Sequence, residues 1–307
     1  MIDERISEIS KIENSNKRSL KLGFWAAVLF VLVAGLCQLI VGFAAAVFVM
    51  FFKNLYFEIT LLAALVANGL AFLIFYLFFM MKNYDLKDVF QCYPYKWLMF
   101  IPLILAGLAL QISGSELDNL IRMIFPPSEF DSLLRKVFPP FAIFEQLMES
   151  MRQMMTIRSG FGLIILILSA CIVGPAFEEI LFRGIIFTGL RRKFSFSVAL
   201  ILQALLFGLM HGNPWQFFYA YILGILLGLL VKWSRSIYPA IILHVVINSS
   251  AVIFNNLFPA KGIVQTGEIE HVEPTLLALS IIISIFSIYW LYRLRKKPQE
   301  VRINENE

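Results

Sequence analysis

Charge is scarce in this chain. Of its 307 residues 15% are charged and 59% hydrophobic, and a mean hydropathy of +0.78 excludes a soluble domain. No hydrophilic stretch is long enough for a second folded unit, and neither an internal repeat nor a low-complexity tract is present. The period-two alternation of a membrane barrel is missing, which leaves helices to satisfy the backbone within lipid. Cysteine is limited to Cys37, Cys92 and Cys171; their spacing suits neither a metal nor a redox pair, and they read as small apolar residues. No His-Glu-x-x-His or Gly-x-Ser-x-Gly pattern occurs, which speaks against a zincin helix and a serine-hydrolase elbow.

What the chain has in abundance is apolar runs able to cross a bilayer, each about 20 residues long. They fall at about 22–52, 59–81, 97–114, 160–190, 196–211, 215–231, 237–255 and 274–292. The expected fold is an all-α polytopic integral membrane bundle of about eight transmembrane helices. The first run is about twice the length of a signal-peptide core, so an uncleaved helix is expected there. Residues 1–21 then form a cytosolic segment, 22–292 the membrane domain, and 293–307 a basic, then polar, cytosolic tail.

Lysine and arginine set the orientation. With the N-terminus in the cytosol, inner segments hold 18 of the 26 Lys and Arg, outer segments hold 7, and Arg183 is left in the membrane. The positive-inside rule thus places both termini in the cytosol. The net charge of +5 reflects this anchoring and gives no support to nucleic-acid binding. Membrane lipid is the expected partner, with the basic tail Arg293-Leu294-Arg295-Lys296-Lys297 favouring anionic headgroups. Enrichment in Phe, Ile and Lys suits an AT-rich bacterial genome and hence a bacterial plasma membrane. Segment 115–159, with Pro126-Pro127 and Pro139-Pro140, reads as interfacial helices on the outer face, either a connector or a lid.

Against this apolar background Glu178, Glu179 and Arg183 stand out, because all three lie inside the fourth run. At mid-membrane each ionised group costs roughly 2.5–3.5 kcal/mol even on the lenient insertion scale, so they need partners, water or a function. Gly174-Pro175 just before them predicts a kink. At about 100° per residue Glu179 and Arg183 share one helix face in the favourable acid-first order, whereas Glu178 points about 100° away, toward the bundle interior. One carboxylate is thereby tied up in a pair and the other is free to take a proton from water. A purely structural charge cluster is the competing reading.

Two of the three histidines, His211 and His244, also fall in apolar runs, and Asn248 lies one turn beyond His244 on the same face. Together with the glutamates they make a constellation of hydrolytic type. Counting helix rise from the basic turns puts Glu178 roughly 20 Å deep, His211 about 24 Å, His244 about 10 Å and Asn248 about 16 Å, a spread that tilts or a short fifth helix must close. Gly208-xxx-Gly212 and Gly224-xxx-Gly228 would allow close helix approach. His271 falls in a polar outer loop and is expected to be solvated.

Glu178-Glu179-x-x-x-Arg183, Phe207-x-x-x-His211 and His244-x-x-x-Asn248, in this order on successive helices, resemble the three motifs of the CPBP or Abi family, which includes the CAAX prenyl endopeptidases. The similarity covers about residues 160–255. The resemblance implies a glutamate-type intramembrane endopeptidase acting on membrane-associated or prenylated peptides without a cofactor. Glu178 would be the general base, His211 would hold the water, and His244 with Asn248 would bind the oxyanion. Glu179 with Arg183 would support the base. Two other readings stay open: a zinc endopeptidase built on the same residues, and a non-catalytic membrane protein such as a bacteriocin immunity factor, a scaffold or a transporter.

Overall fold

A computed structural model describes residues 23–126, 136, 160–211, 214–257 and 271–296. Among these residues the chain forms helices and no strand. In order they are α1 (Phe24–Phe51), α2 (Tyr56–Met81), the short α3 (Leu86–Phe90), α4 (Phe100–Ile124), α5 (Gly160–Arg191), α6 (Phe196–Met210), α7 (Pro214–Ser234), α8 (Tyr238–Leu257) and α9 (Pro274–Arg293). All except α3 coincide with the eight expected runs. By length and composition six can cross a membrane, namely α1, α2 and α4 (the last two each with the short turn before it), α5, α7 and α9, while α6 and the Tyr238–Phe254 part of α8 are shorter apolar helices. Residues 1–21, the tail from Lys297, Gly212 and most of 115–159 lie outside the described residues.

One boundary differs from expectation. The third apolar run ends near residue 114, yet α4 continues for ten more residues to Ile124. Its polar end is held by specific partners. Glu116, 5% exposed, accepts hydrogen bonds from Val272 N at 2.9 Å and Asn119 Nδ2 at 3.2 Å, and pairs with His271 Nδ1 at 2.6 Å. Asp118 and Arg122 form an i,i+4 pair at 2.7 Å. Pro126 then follows, and the residue before a proline leaves helical geometry. His271 is therefore not simply solvated: it helps tie the start of α9 to the end of α4.

Burial sorts the helices into inner and outer. Half of the core stretch of α7 is buried and 44% of those of α4 and α5, against 22% for α1 and α9. The outward side of α1 exposes Trp25, Leu39, Phe43 and Met50, as a lipid-facing helix should. Its inward side joins an aromatic stack in which Phe30 meets Phe75 and Phe79 at 4.8 and 5.0 Å, and Phe75 meets Phe177 at 6.1 Å. That stack ends beside the glutamates of α5. Cys37 and Cys171 are buried and all three thiols are free; burial pushes the Cys92 thiol up, with a hydrogen bond from Tyr238 opposing it, so it is held in its unreactive form.

Because lipid is as apolar as leucine, helices in a bilayer associate through close packing rather than hydrophobic expulsion. Gly107 of α4 shows how close: a Cβ there would lie 2.5 Å from Val246 Cγ1 on α8, whereas one on Gly69 of α2 would meet nothing within 4 Å. Valine is stiff at χ1 and cannot swing away. We expect Gly107→Ala to lower stability by about 1–3 kcal/mol and Gly69→Ala to leave it unchanged or slightly raised. Thermal unfolding of the detergent-purified variants decides this, and equal melting temperatures would refute the tight α4–α8 seam.

Candidate functional site

Helix α5 is not wound uniformly. Two π-helical stretches, Ile167–Val173 and Ile180–Ile186, bracket an α-helical turn and a half, Gly174–Glu179, that carries both glutamates. The expected proline kink is thus taken up as altered winding on either side of the pair. Gly174 N–H reaches back five residues to Ser169 O, and a side chain at Gly174 would strike that carbonyl at 2.7 Å. The same spacing would pair Ala170 O with residue 175, but Pro175 has no N–H. Asn248 Nδ2 of α8 donates to Ala170 O instead, at 2.9 Å. At the second stretch Phe187 N–H again reaches back five residues, to Phe182 O. The next carbonyl, Arg183 O, takes Gln91 Nε2 at 3.2 Å, and that amide also donates to Thr188 Oγ1 at 3.1 Å. Gln91 follows α3 with φ 51°. Two carboxamides from outside the helix thus hold its unusual winding, and π turns recur at functional sites.

The winding presents three charges to the bundle. Glu179 and Arg183 are both fully buried and paired at 2.9 Å, as their spacing predicts. His244 Nδ1 lies 2.9 Å from the same carboxylate oxygen, Glu179 Oε1. The other ring nitrogen, Nε2, is 3.8 Å from Glu178 Oε2. Glu178 differs from its neighbour: its side chain is 34% exposed, yet Oε2 is buried without a hydrogen-bond partner. His244 therefore sits between a closed carboxylate and an open one. The expected depth gap between His244 and Glu178 is closed, since the two side chains come within 3.8 Å of each other.

Phe207 of α6 joins the remaining pieces. The Arg183 guanidinium lies over its ring at 4.3 Å, and the rings of His211 and His244 meet it edge-on at 4.8 and 5.7 Å. Arg183 Nη2 also donates to Gly224 O of α7 at 3.3 Å. A buried cation so placed has an ion pair, a carbonyl and an aromatic face in place of water. His211 caps the end of α6, and its Nδ1 bonds to Phe207 O at 2.8 Å, which leaves Nε2 for another partner.

The structure thus gathers Glu178, Glu179, Arg183 and His244 directly and brings in His211 through Phe207. Asn248 lies on the same helix face as His244, but one of its amide hydrogens is engaged by Ala170 O. Sequence reasoning missed Gln91 and Gln203. Gln203 is fully buried on α6, and the available signal was a polar residue in an otherwise apolar run.

Residues 160–250, which hold the first two motifs and the third, match a family model described as type II CAAX prenyl endopeptidase, Rce1-like. The chain is 32% identical over 118 residues to the membrane-embedded CAAX protease MroQ of Staphylococcus aureus, covering 35% of this chain and 47% of that protein. It is also 32% identical over 101 residues to YdiL of Bacillus subtilis, named as a membrane peptidase, covering 33% of this chain and 41% of that protein. The chain thus spans about half the length of the curated relatives it matches. No solved structure matches it.

Removing Arg183 leaves Glu179 buried with one partner fewer. We expect Arg183→Ala to lose about 3–5 kcal/mol of stability and most of its folded yield, and Glu179→Gln added to it to restore part of both. Size-exclusion profiles and melting temperatures of the single and double variants check this; a wild-type profile for Arg183→Ala would refute the structural pair.

Proposed function

We propose that the chain is an intramembrane endopeptidase in which Glu178 is the general base. The observation that carries this reading is the asymmetry of the two adjacent glutamates: Glu179 is closed off by Arg183 and His244, while Glu178 is open at 34% exposure and lies 3.8 Å from His244 Nε2. Glu178 takes a proton from water as the oxygen bonds to the peptide carbonyl carbon, and returns it to the amine as the C–N bond breaks. The carbonyl oxygen gains the negative charge, and His244 Nε2, when protonated, donates to it. Glu179 fixes the other side of that ring, and Arg183 balances Glu179. In this reading His211 Nε2 accepts from the water, and the second amide hydrogen of Asn248 adds a donor.

The substrates are membrane-associated peptides, prenylated CAAX-type sequences among them. The family match and the name of the Staphylococcus aureus relative support this class. The same reading puts both termini on the cytosolic side of a bacterial plasma membrane, with a single membrane domain over 22–292. The mechanism uses no cofactor. The zinc reading is tested by the chelator arm below.

Cleavage of a quenched fluorescent peptide library that includes farnesylated CAAX peptides tests this, in detergent, with and without a strong chelator. Glu178→Gln should lower kcat by about 10²–10⁴-fold with folding intact, and the chelator should have no effect. His244→Ala should lower kcat by about 10²–10³-fold with little change in KM. Full activity of Glu178→Gln would refute the base, loss on chelation would restore the zinc reading, and an effect of His244→Ala on KM alone would remove it from the oxyanion site.

A further inference from the structure

The cluster is completed from behind by a residue that touches neither Glu178 nor a histidine. Gln203 of α6 is 0% exposed, and its Nε2 donates to Leu200 O at 3.1 Å and to Gly224 O at 2.8 Å. Gly224 O is the same carbonyl that receives Arg183 Nη2 at 3.3 Å. Two glycines make room for this arrangement. A Cβ on Gly224 would lie 3.0 Å from Ala204 Cα, and one on Gly228 would lie 3.0 Å from Gln203 Nε2 and 2.5 Å from Leu200 Cδ1. Only the nitrogen of this buried carboxamide is bonded, its Oε1 having no hydrogen-bond partner, so it is retained at a cost that leucine or methionine, filling the same space, would not carry.

We infer that Gln203 is a positioning residue for the proposed hydrolysis: it fixes the Gly224 carbonyl and limits how far that carbonyl can draw Arg183 away from Glu179. This rests on the endopeptidase reading. The guanidinium has two buried acceptors, Glu179 Oε1 at 2.9 Å and Gly224 O at 3.3 Å. With the amide of Gln203 already on Gly224 O, the carboxylate is the closer partner. Without it one fewer donor competes for the carbonyl, which already takes a helical N–H of α7, and the guanidinium closes on it. Glu179 Oε1 also holds His244 Nδ1 at 2.9 Å, so any shift of that carboxylate turns the imidazole and re-aims Nε2 relative to Glu178. The path runs through four contacts, all in the buried interior, and ends at the proposed reacting groups.

Gln203→Met keeps the volume and removes the donor. We expect its kcat to fall about tenfold, equivalent to about 1.4 kcal/mol, with KM unchanged and a shifted pH–rate profile. Gln203→Glu should fall further, because a second carboxylate competes with Glu179 for Arg183. An activity-independent readout separates this inference from the function it rests on. The chain has three histidines, so the ring nitrogens of ¹⁵N-histidine protein are assignable by substitution. Gln203→Met should move the His244 resonances and leave those of His271, on the outer connection, in place. If the wild type cleaves nothing, the endopeptidase reading fails and the His244 resonances still decide the role of Gln203. If Gln203→Met does not fold, Gly228→Ala, which keeps the amide but displaces it, should move the same resonances. Unchanged His244 signals with unchanged kcat per folded molecule, even at a lower melting temperature, would reduce Gln203 to a packing residue and overturn the inference.

Discussion

One carboxylate oxygen organises the centre of this bundle. Glu179 Oε1 receives Arg183 Nη1 and His244 Nδ1, each at 2.9 Å, and so joins α5 to α8. A cation and an imidazole share one acceptor in surroundings with no solvent to take up slack, so displacing either alters the other. Arg183 extends the linkage to the Phe207 ring and the Gly224 carbonyl, which brings in α6 and α7. The helices that carry the three motifs are thus joined through polar contacts and not merely stacked in lipid. Glu178 is the member of the group left partly exposed.

The geometry at that oxygen depends on backbone winding. Two π stretches in one helix are an unusual expense of backbone hydrogen bonding, since each leaves a carbonyl for another partner. Both carbonyls are taken by side-chain amides, Ala170 by Asn248 and Arg183 by Gln91. The α3 turn packs directly on the second stretch, where a side chain at Gly184 would lie 3.2 Å from Val89 O. The helix with the glutamates is therefore held at both ends by elements distant in sequence.

Much of the fold was legible because spanning a bilayer needs a run of apolar residues and little else. All eight runs became helices, and the Glu179–Arg183 pair followed from i,i+4 spacing alone. The end of α4 was misjudged because hydropathy registers Glu116, Asp118 and Arg122 only as polar, whereas each is paired locally or by His271 and Val272. The π winding was hidden for a related reason: Gly174-Pro175 signals that α-helical bonding fails there, but not which distant amide compensates. Gln91 lies 92 residues from the carbonyl it bonds, in a segment with no pattern pointing to α5, and Asn248, 78 residues from its own, was read as a donor to substrate and not as a brace for the helix backbone. His244 beside both glutamates likewise depended on tertiary placement that rise counting could not supply.

The ion pair within α5 bears on how the chain enters a membrane. Segments are delivered in order, so α5 meets lipid before α8 exists to offer His244. Because Glu179 and Arg183 are on the same helix, they neutralise one another as soon as that turn forms, and only Glu178 enters uncompensated. Each leucine, isoleucine or phenylalanine near the middle of the helix favours insertion by roughly 0.3–0.6 kcal/mol, and several of them suffice against one carboxylate. The pairing that later orients an imidazole first serves as a passport for its own helix.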